Sequence, residues 1–166
     1  MNTHFEEPLS IGGDSRSLSP EQRLIELGIT LPTPPEPFGT YVEAVQTGTL
    51  LFLSGMLPTA GSGAKFIGRV GTELDIETGR HAARLAAFNA LAVARRHLGS
   101  LNKVERIVRL GVMVATSGEV RDLPKVADAA SKLLQDVFGR DKNPLPSGLW
   151  RRKLSARHAG RARSHF

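Results

Sequence analysis

Residues 37 to 58 read PFGTYVEAVQTGTLLFLSGMLP, and the organisation of the chain follows from them. Tyr41-Val-Glu-Ala-Val-Gln-Thr47 alternates large apolar with polar or small side chains, the pattern of a half-buried strand. Thr49-Leu-Leu-Phe-Leu53 is a continuous apolar run, the pattern of a strand covered on both faces. Thr47-Gly48 lies between them, and glycine supplies the positive φ of a tight hairpin turn. The second strand runs directly into Ser54-Gly55, where a glycine lets another backbone or a ligand approach closely.

C-terminal to this hairpin the periodicity changes. From about Asp75 to Leu98, Ala82, Leu85, Ala86, Asn89, Val93 and Leu98 mark a helical face, and the alanines between them imply close packing on a sheet. Arg95, Arg96 and His97 fall in the last turn, where cations suit the helix dipole, and Gly99 ends it. Val104 to Thr116 reads as a strand with Val108, Leu110, Val112 and Val114 on one face, and with Arg106 and Arg109 on opposite faces. Asp122 and Pro124 start a second helix that runs to about Phe138. Its stripe is Val126, Ala130, Leu133, Val137 and Phe138, and Gly139 stops it. Hairpin, helix, strand and helix in that order predict an α+β domain whose sheet needs a further strand after the second helix.

N-terminal to the hairpin, residues 1–18 read as a flexible polar arm. Ser19-Pro20-Glu21-Gln22 is a helix start with a capping box, Leu24, Ile25 and Leu27 its apolar face, and Gly28 its end. Leu31 to Pro37 is a stiff proline-rich connector, read as a linker rather than a docking motif because no basic residue flanks it. Thr59 to Gly71 reads as loop, with room for a brief edge strand around Lys65 to Val70. No Gly-Lys-Ser/Thr follows its glycines, so it is not a phosphate-binding loop. His81 and His97 lack a third ligand in register and read as exposed or capping side chains, so no metal site is expected.

The totals restrict the function classes. The 166 residues make one domain with a real core. Without cysteine there is neither a disulfide framework nor thiol chemistry. No run approaches the roughly 18–20 apolar residues of a membrane span, and the N-terminus lacks a secretory pattern. The expectation is therefore a cytoplasmic protein that does not enter membranes. The net charge of +6 suggests nucleic-acid binding at first sight. However, Arg151, Arg152, Lys153, Arg157, Arg161 and Arg163 account for all of it, because residues 145–166 contain no acid. Residues 1–144 balance 16 basic against 16 acidic side chains, and the aromatics form no stacking platform. There is no Gly-x-Ser-x-Gly, which disfavours a serine hydrolase.

Gly39-Thr40-Tyr41, the strand Leu50-Leu-Phe-Leu-Ser-Gly55 and the run Gly79-Arg-His-Ala-Ala-Arg-Leu-Ala-Ala-Phe-Asn-Ala-Leu-Ala92 together resemble the RidA (YjgF) family. The likeness is to a longer subgroup with an extra N-terminal helix, also called endoribonuclease L-PSP, and it extends over about Leu24 to Phe138. It implies a RidA/chorismate-mutase-like α+β fold, a mixed sheet with two helices on one face. It further implies a homotrimer with a cleft for a small carboxylate at each subunit interface. The implied activity is cofactor-free hydrolysis of reactive imines and enamines from amino-acid metabolism to 2-keto acids and ammonia. By the same resemblance Tyr41, Ser54 and Gly55 match pocket-forming positions, Met56 stands where glutamine is common, and Asp128 stands where asparagine is common. The family's carboxylate-clamping arginine and water-positioning glutamate would fall in residues 145–166, where this chain has neither in context, so its catalytic residues are unassigned.

Residues 145–166, LPSGLWRRKLSARHAGRARSHF, show no strand-like alternation and read as a basic tail. Read one base further on, the codons of Gly148 to Phe166 can encode VYGVASLALGTPVELEVIF, and Pro146 can become arginine. That product resembles the family's closing strands, and the hypothesis is a frameshifted family ending. Two alternatives to the deaminase stand: a non-catalytic carboxylate-binding protein on the same fold, and an RNA-binding protein or ribonuclease whose support is the tail alone.

Overall fold

The computed structural model describes residues 18–37, 39–61, 63–117, 120–143 and 145–153. The arm predicted at 1–18 lies outside them apart from Leu18. Helix α1, Pro20–Glu26, begins as its sequence requires. Ser19 Oγ accepts from the Gln22 N–H and Gln22 Oε1 accepts from the Ser19 N–H, closing the capping box. Only Leu24 of the expected apolar face is buried, whereas Ile25 and Leu27 are exposed, because α1 touches the core along one narrow line. Glu21 fixes its docking. Its carboxylate accepts from the Leu101 N–H at 3.0 Å and pairs with Arg95 at 3.0 Å.

The hairpin consists of β1, Ala44–Thr47, and β2, Leu50–Leu53, in register Ala44↔Leu53 to Thr47↔Leu50. Gly48 takes φ +55° in the turn, as the close connection demands. Leu51 and Leu53 pack against the core, but Leu50 and Phe52 are about half exposed, and so are Tyr41 and Val45. The expectation that β2 is covered on both faces is thus corrected for a single copy of the chain, since helices lie against one face only. The expected loop at 59–71 contains a small hairpin of β3, Thr59–Ala60, and β4, Gly63–Ala64. No edge strand forms at 65–70, where only Val70 bridges to Leu74 and Thr116.

Helix α2, Ile76–Leu98, is capped by the Asp75 carboxylate, which accepts from the Thr78 N–H at 2.7 Å. It ends at Gly99 with φ +81°. Its buried face differs from the predicted stripe. Ala87, Leu91 and Ala94 meet helix α3, while Asn89, Ala92 and Val93 are also buried. The alanines therefore serve close approach to α3 as much as to a sheet. Strand β5, Arg109–Thr116, starts later than expected, and Val108 is exposed. Helix α3, Leu123–Phe138, buries all five predicted stripe residues together with Leu123, Ala129 and Leu134. Leu133 and Val137 are fully enclosed, and each such side chain contributes about 1.5–3 kcal/mol.

The strand expected after α3 is present. Leu145–Lys153 form β6, parallel to β5, so that β5, α3 and β6 make a βαβ unit. The absence of alternation at 145–153 did not prevent strand pairing, because backbone groups alone form the ladder. The described strands form three two-stranded pieces, β1–β2, β3–β4 and β5–β6, rather than one mixed sheet. Among the described residues, the edge of β5 away from β6 is met only by the Val70 bridge. The α+β class holds, with three helices around which these pieces are arranged. Among the described residues no helix is long and apolar enough to cross a membrane.

Candidate ligand site at the mouth of the hairpin

At the end of the hairpin opposite its turn, the Ser54 N–H donates to the Glu43 carbonyl at 2.9 Å and carries the pairing one step beyond the strands. Glu43 and Ser54 thus face each other across the mouth. A depression opens there, lined by Pro35, Glu36, Tyr41, Glu43, Ser54, Gly55 and Met56 among others. The Ser54 N–H is engaged, whereas among the described residues no backbone hydrogen bond is made by the Gly55 or Met56 N–H. A Cβ at Gly55 would meet nothing within 4 Å, so the chain is open on that side.

The far wall of this depression is pinned from α2. Asn89, 2% exposed, donates from Nδ2 to the Leu57 carbonyl at 2.9 Å and to the Thr59 carbonyl and hydroxyl at 3.1 and 3.2 Å. These bonds fasten the segment that follows Met56 to the helix.

A second, more open groove shares Glu36, Pro37, Tyr41 and Glu43 with the first and adds Val93, Arg96 and His97 from α2. Arg96 bridges two acids there. Its guanidinium hydrogen-bonds Glu43 Oε2 and lies 3.6 Å from Glu36 Oε1. The Glu43 side chain is 14% exposed, that of Glu36 85%. Glu43 Oε1 is buried and has no hydrogen-bond partner.

Four of the five residues singled out by resemblance, Tyr41, Ser54, Gly55 and Met56, line the same depression. Asp128 is exposed on α3 and lines neither hollow. Sequence reading missed Glu43, Arg96 and Asn89 as site residues. The available signal was a lone asparagine inside an alanine-rich helix, a residue that needs hydrogen-bond partners when buried. His81 and His97 are both exposed, as read. Among the described residues no cluster of three or more His, Cys, Asp or Glu could hold a metal.

Glu73 and Asp75, two acids whose titration the fold lowers, stand outside both hollows. Hydrogen bonds from Arg69 hold the Glu73 carboxyl down to about 2, and the Thr78 cap lowers Asp75. Both are accounted for by an ion pair and a helix cap, so neither marks a reactive group.

Residues 21–149 match the family described as "YjgF/chorismate mutase-like, putative endoribonuclease". Protein TCP17 of Trypanosoma cruzi is 36% identical over 118 residues, 71% of this chain and 74% of that protein. The crystal structure of a "putative endoribonuclease" from Shewanella oneidensis MR-1 superposes with a TM-score of 0.76 at 29% identity, covering 81% of this chain and 89% of that one. Protein Atu1372 from Agrobacterium tumefaciens, whose structure is described as of unknown function, gives 0.69 at 33% identity, with 79% and 80% covered. The fold is that of a YjgF-like α+β protein, and the chain belongs to the YjgF/chorismate mutase-like family.

Proposed function

We propose that this chain is a RidA-like protein that hydrolyses reactive imine or enamine intermediates of amino-acid metabolism to 2-keto acids and ammonia, at clefts formed between copies of a cytoplasmic homotrimer. The observation that carries the reading is the convergence of Tyr41, Ser54, Gly55 and Met56 on one depression. Beside it lies an apolar hairpin face, Val45, Leu50 and Phe52, that one copy leaves open. The chemistry asks little of the protein. Water adds to the carbon of the C=N bond, nitrogen is protonated, and the carbon–nitrogen bond then breaks to release ammonia and leave the keto group. Holding the substrate carboxylate and nitrogen in one orientation is enough to favour that sequence. The Ser54 hydroxyl and the Gly55 and Met56 N–H groups are suited to the carboxylate, as donors to an anion.

The second reading is a non-catalytic binder of small carboxylates. It is favoured by the absence from residues 145–166 of the clamping arginine and the glutamate in family context, Pro146 pairing with Leu110 where the shifted reading has arginine. Ammonia and keto-acid release from 2-iminopropionate separates the two. Turnover is expected from the proposal, whereas a saturable ligand without turnover leaves the binder. Cleavage of a single-stranded RNA under the same conditions would instead favour a ribonuclease.

A further inference from the structure

We infer that Glu43 receives the nitrogen of the ligand: a small turn of its carboxylate brings Oε1, closed off and without a partner in the free chain, to accept an N–H from the imine or amine nitrogen of a small 2-substituted carboxylate seated in the depression, while Arg96 holds Oε2. The inference rests on the proposed function for the ligand class, but not for the placement of the residue.

Three observations converge on it. The two oxygens of Glu43 have unequal surroundings, one bonded to Arg96 and the other buried with no partner. A buried carboxylate oxygen without a donor is costly, and a native protein keeps one where a water or ligand supplies the hydrogen. Second, the backbone bond from Ser54 sets Glu43 directly across from the serine, in the wall of the hollow that Tyr41 and Met56 also line. Third, the carboxylates and guanidinium around it are those of Glu36, Glu43 and Arg96, two negative charges against one positive. Such a set favours a protonated nitrogen over a keto oxygen. A charge-assisted hydrogen bond to that nitrogen keeps it protonated and its carbon open to water. Glu43 would then distinguish substrate from product, since the keto acid offers it no hydrogen and leaves.

The test compares L-alanine with pyruvate, two carboxylates that differ in carrying an ammonium or a keto oxygen, by titration calorimetry on the full chain. The wild type is expected to prefer alanine. Glu43→Gln keeps the shape and removes the charge. It is expected to lower alanine affinity by about tenfold or more, the range of a hydrogen bond to a charged group, and to leave pyruvate within about twofold. An equal loss for both ligands, or none for either, overturns the assignment. Glu36→Gln removes the same charge from the exposed neighbour and is expected to lower the ratio by no more than about twofold, since an exposed charge is screened by water. A ratio that falls as far as in Glu43→Gln would make the preference a general charge effect and overturn it too. Should Glu43→Gln not fold, Glu43→Asp withdraws the carboxylate by one methylene and is expected to lower the ratio severalfold, an unchanged ratio counting against the role. Hydrolysis of 2-iminopropionate separates the two failures. Binding with the expected ratio but no turnover sinks the hydrolytic reading alone, and turnover undiminished in Glu43→Gln sinks the role of Glu43 alone. A wild type with no measurable affinity for either ligand at millimolar concentration overturns both.

Discussion

Replacing Asn89 is the sharpest test of how the site is held. Its single amide nitrogen has two hydrogens and three acceptors within 3.2 Å, the Leu57 carbonyl and the Thr59 carbonyl and hydroxyl. Asn89→Ala leaves buried acceptors without donors, which costs about 1–3 kcal/mol before any cavity is counted. For a chain of this size about 2 kcal/mol corresponds to a fall of roughly 4–8 °C in Tm. Asn89→Asp is expected to be worse, because it turns a carboxylate oxygen toward acceptor oxygens in a site that is 2% exposed. Urea unfolding followed by far-ultraviolet circular dichroism reads both, with the midpoint falling and the slope unchanged. Proteolysis within Met56–Thr59 should rise in parallel, since that segment loses its anchor. Losses below about 0.5 kcal/mol for both variants, the size of an ordinary surface change, would refute the view that Asn89 ties this segment to α2.

Gly71→Ala is expected to destabilise by about 2 kcal/mol or more, because φ is +96° and a Cβ would lie 2.5 Å from Val120 Cγ2. A Tm within a degree of wild type would count against that conformation. Glu73, held down to about 2 by Arg69, contributes stability that is present above its unfolded value near 4.5 and lost as pH falls toward 2. Glu73→Gln should therefore flatten the acid limb of the stability profile in that window, and identical profiles would show that the pair does not matter. Phe52→Glu, on a residue 56% exposed and paired with Val45, is expected to lower the mass measured by light scattering from trimer toward monomer without unfolding the chain. A wild type that is already monomeric would remove the reason for the open face. Resequencing the gene across the codons of residues 146–166 is expected to give a frame that encodes closing strands of the family type, and a homologous frame closed by stops would refute it.

Local signals were legible where one residue type settles the backbone. The capping box at Ser19, the turn glycine Gly48 and the stop at Gly99 each act within a few residues, and the structure has them. Burial was less legible, because apolarity shows that a side chain seeks cover and not which neighbour provides it. Ile25, Val108 and Phe52 are apolar and exposed for that reason. In the candidate site, Tyr41, Ser54, Gly55 and Met56 could be named from their motif. Glu43 read as the polar position of a strand and Arg96 as a helix-end cation, since nothing local announces a pair separated by 53 positions.

Cover for the hairpin face and a ligand at its mouth are one problem rather than two. The Val45–Phe52 pair lies two residues from the Glu43–Ser54 step, about 7 Å along the strands. A second copy seated on Val45 and Phe52 would reach the edge of the depression and exclude water from it, which strengthens every charge-assisted contact there. Association and turnover should then fall together. In Phe52→Glu, specific activity should depend on protein concentration through the range where the oligomer re-forms. Constant specific activity in a monomeric variant would mean that one copy completes the site, and the open face would need another explanation.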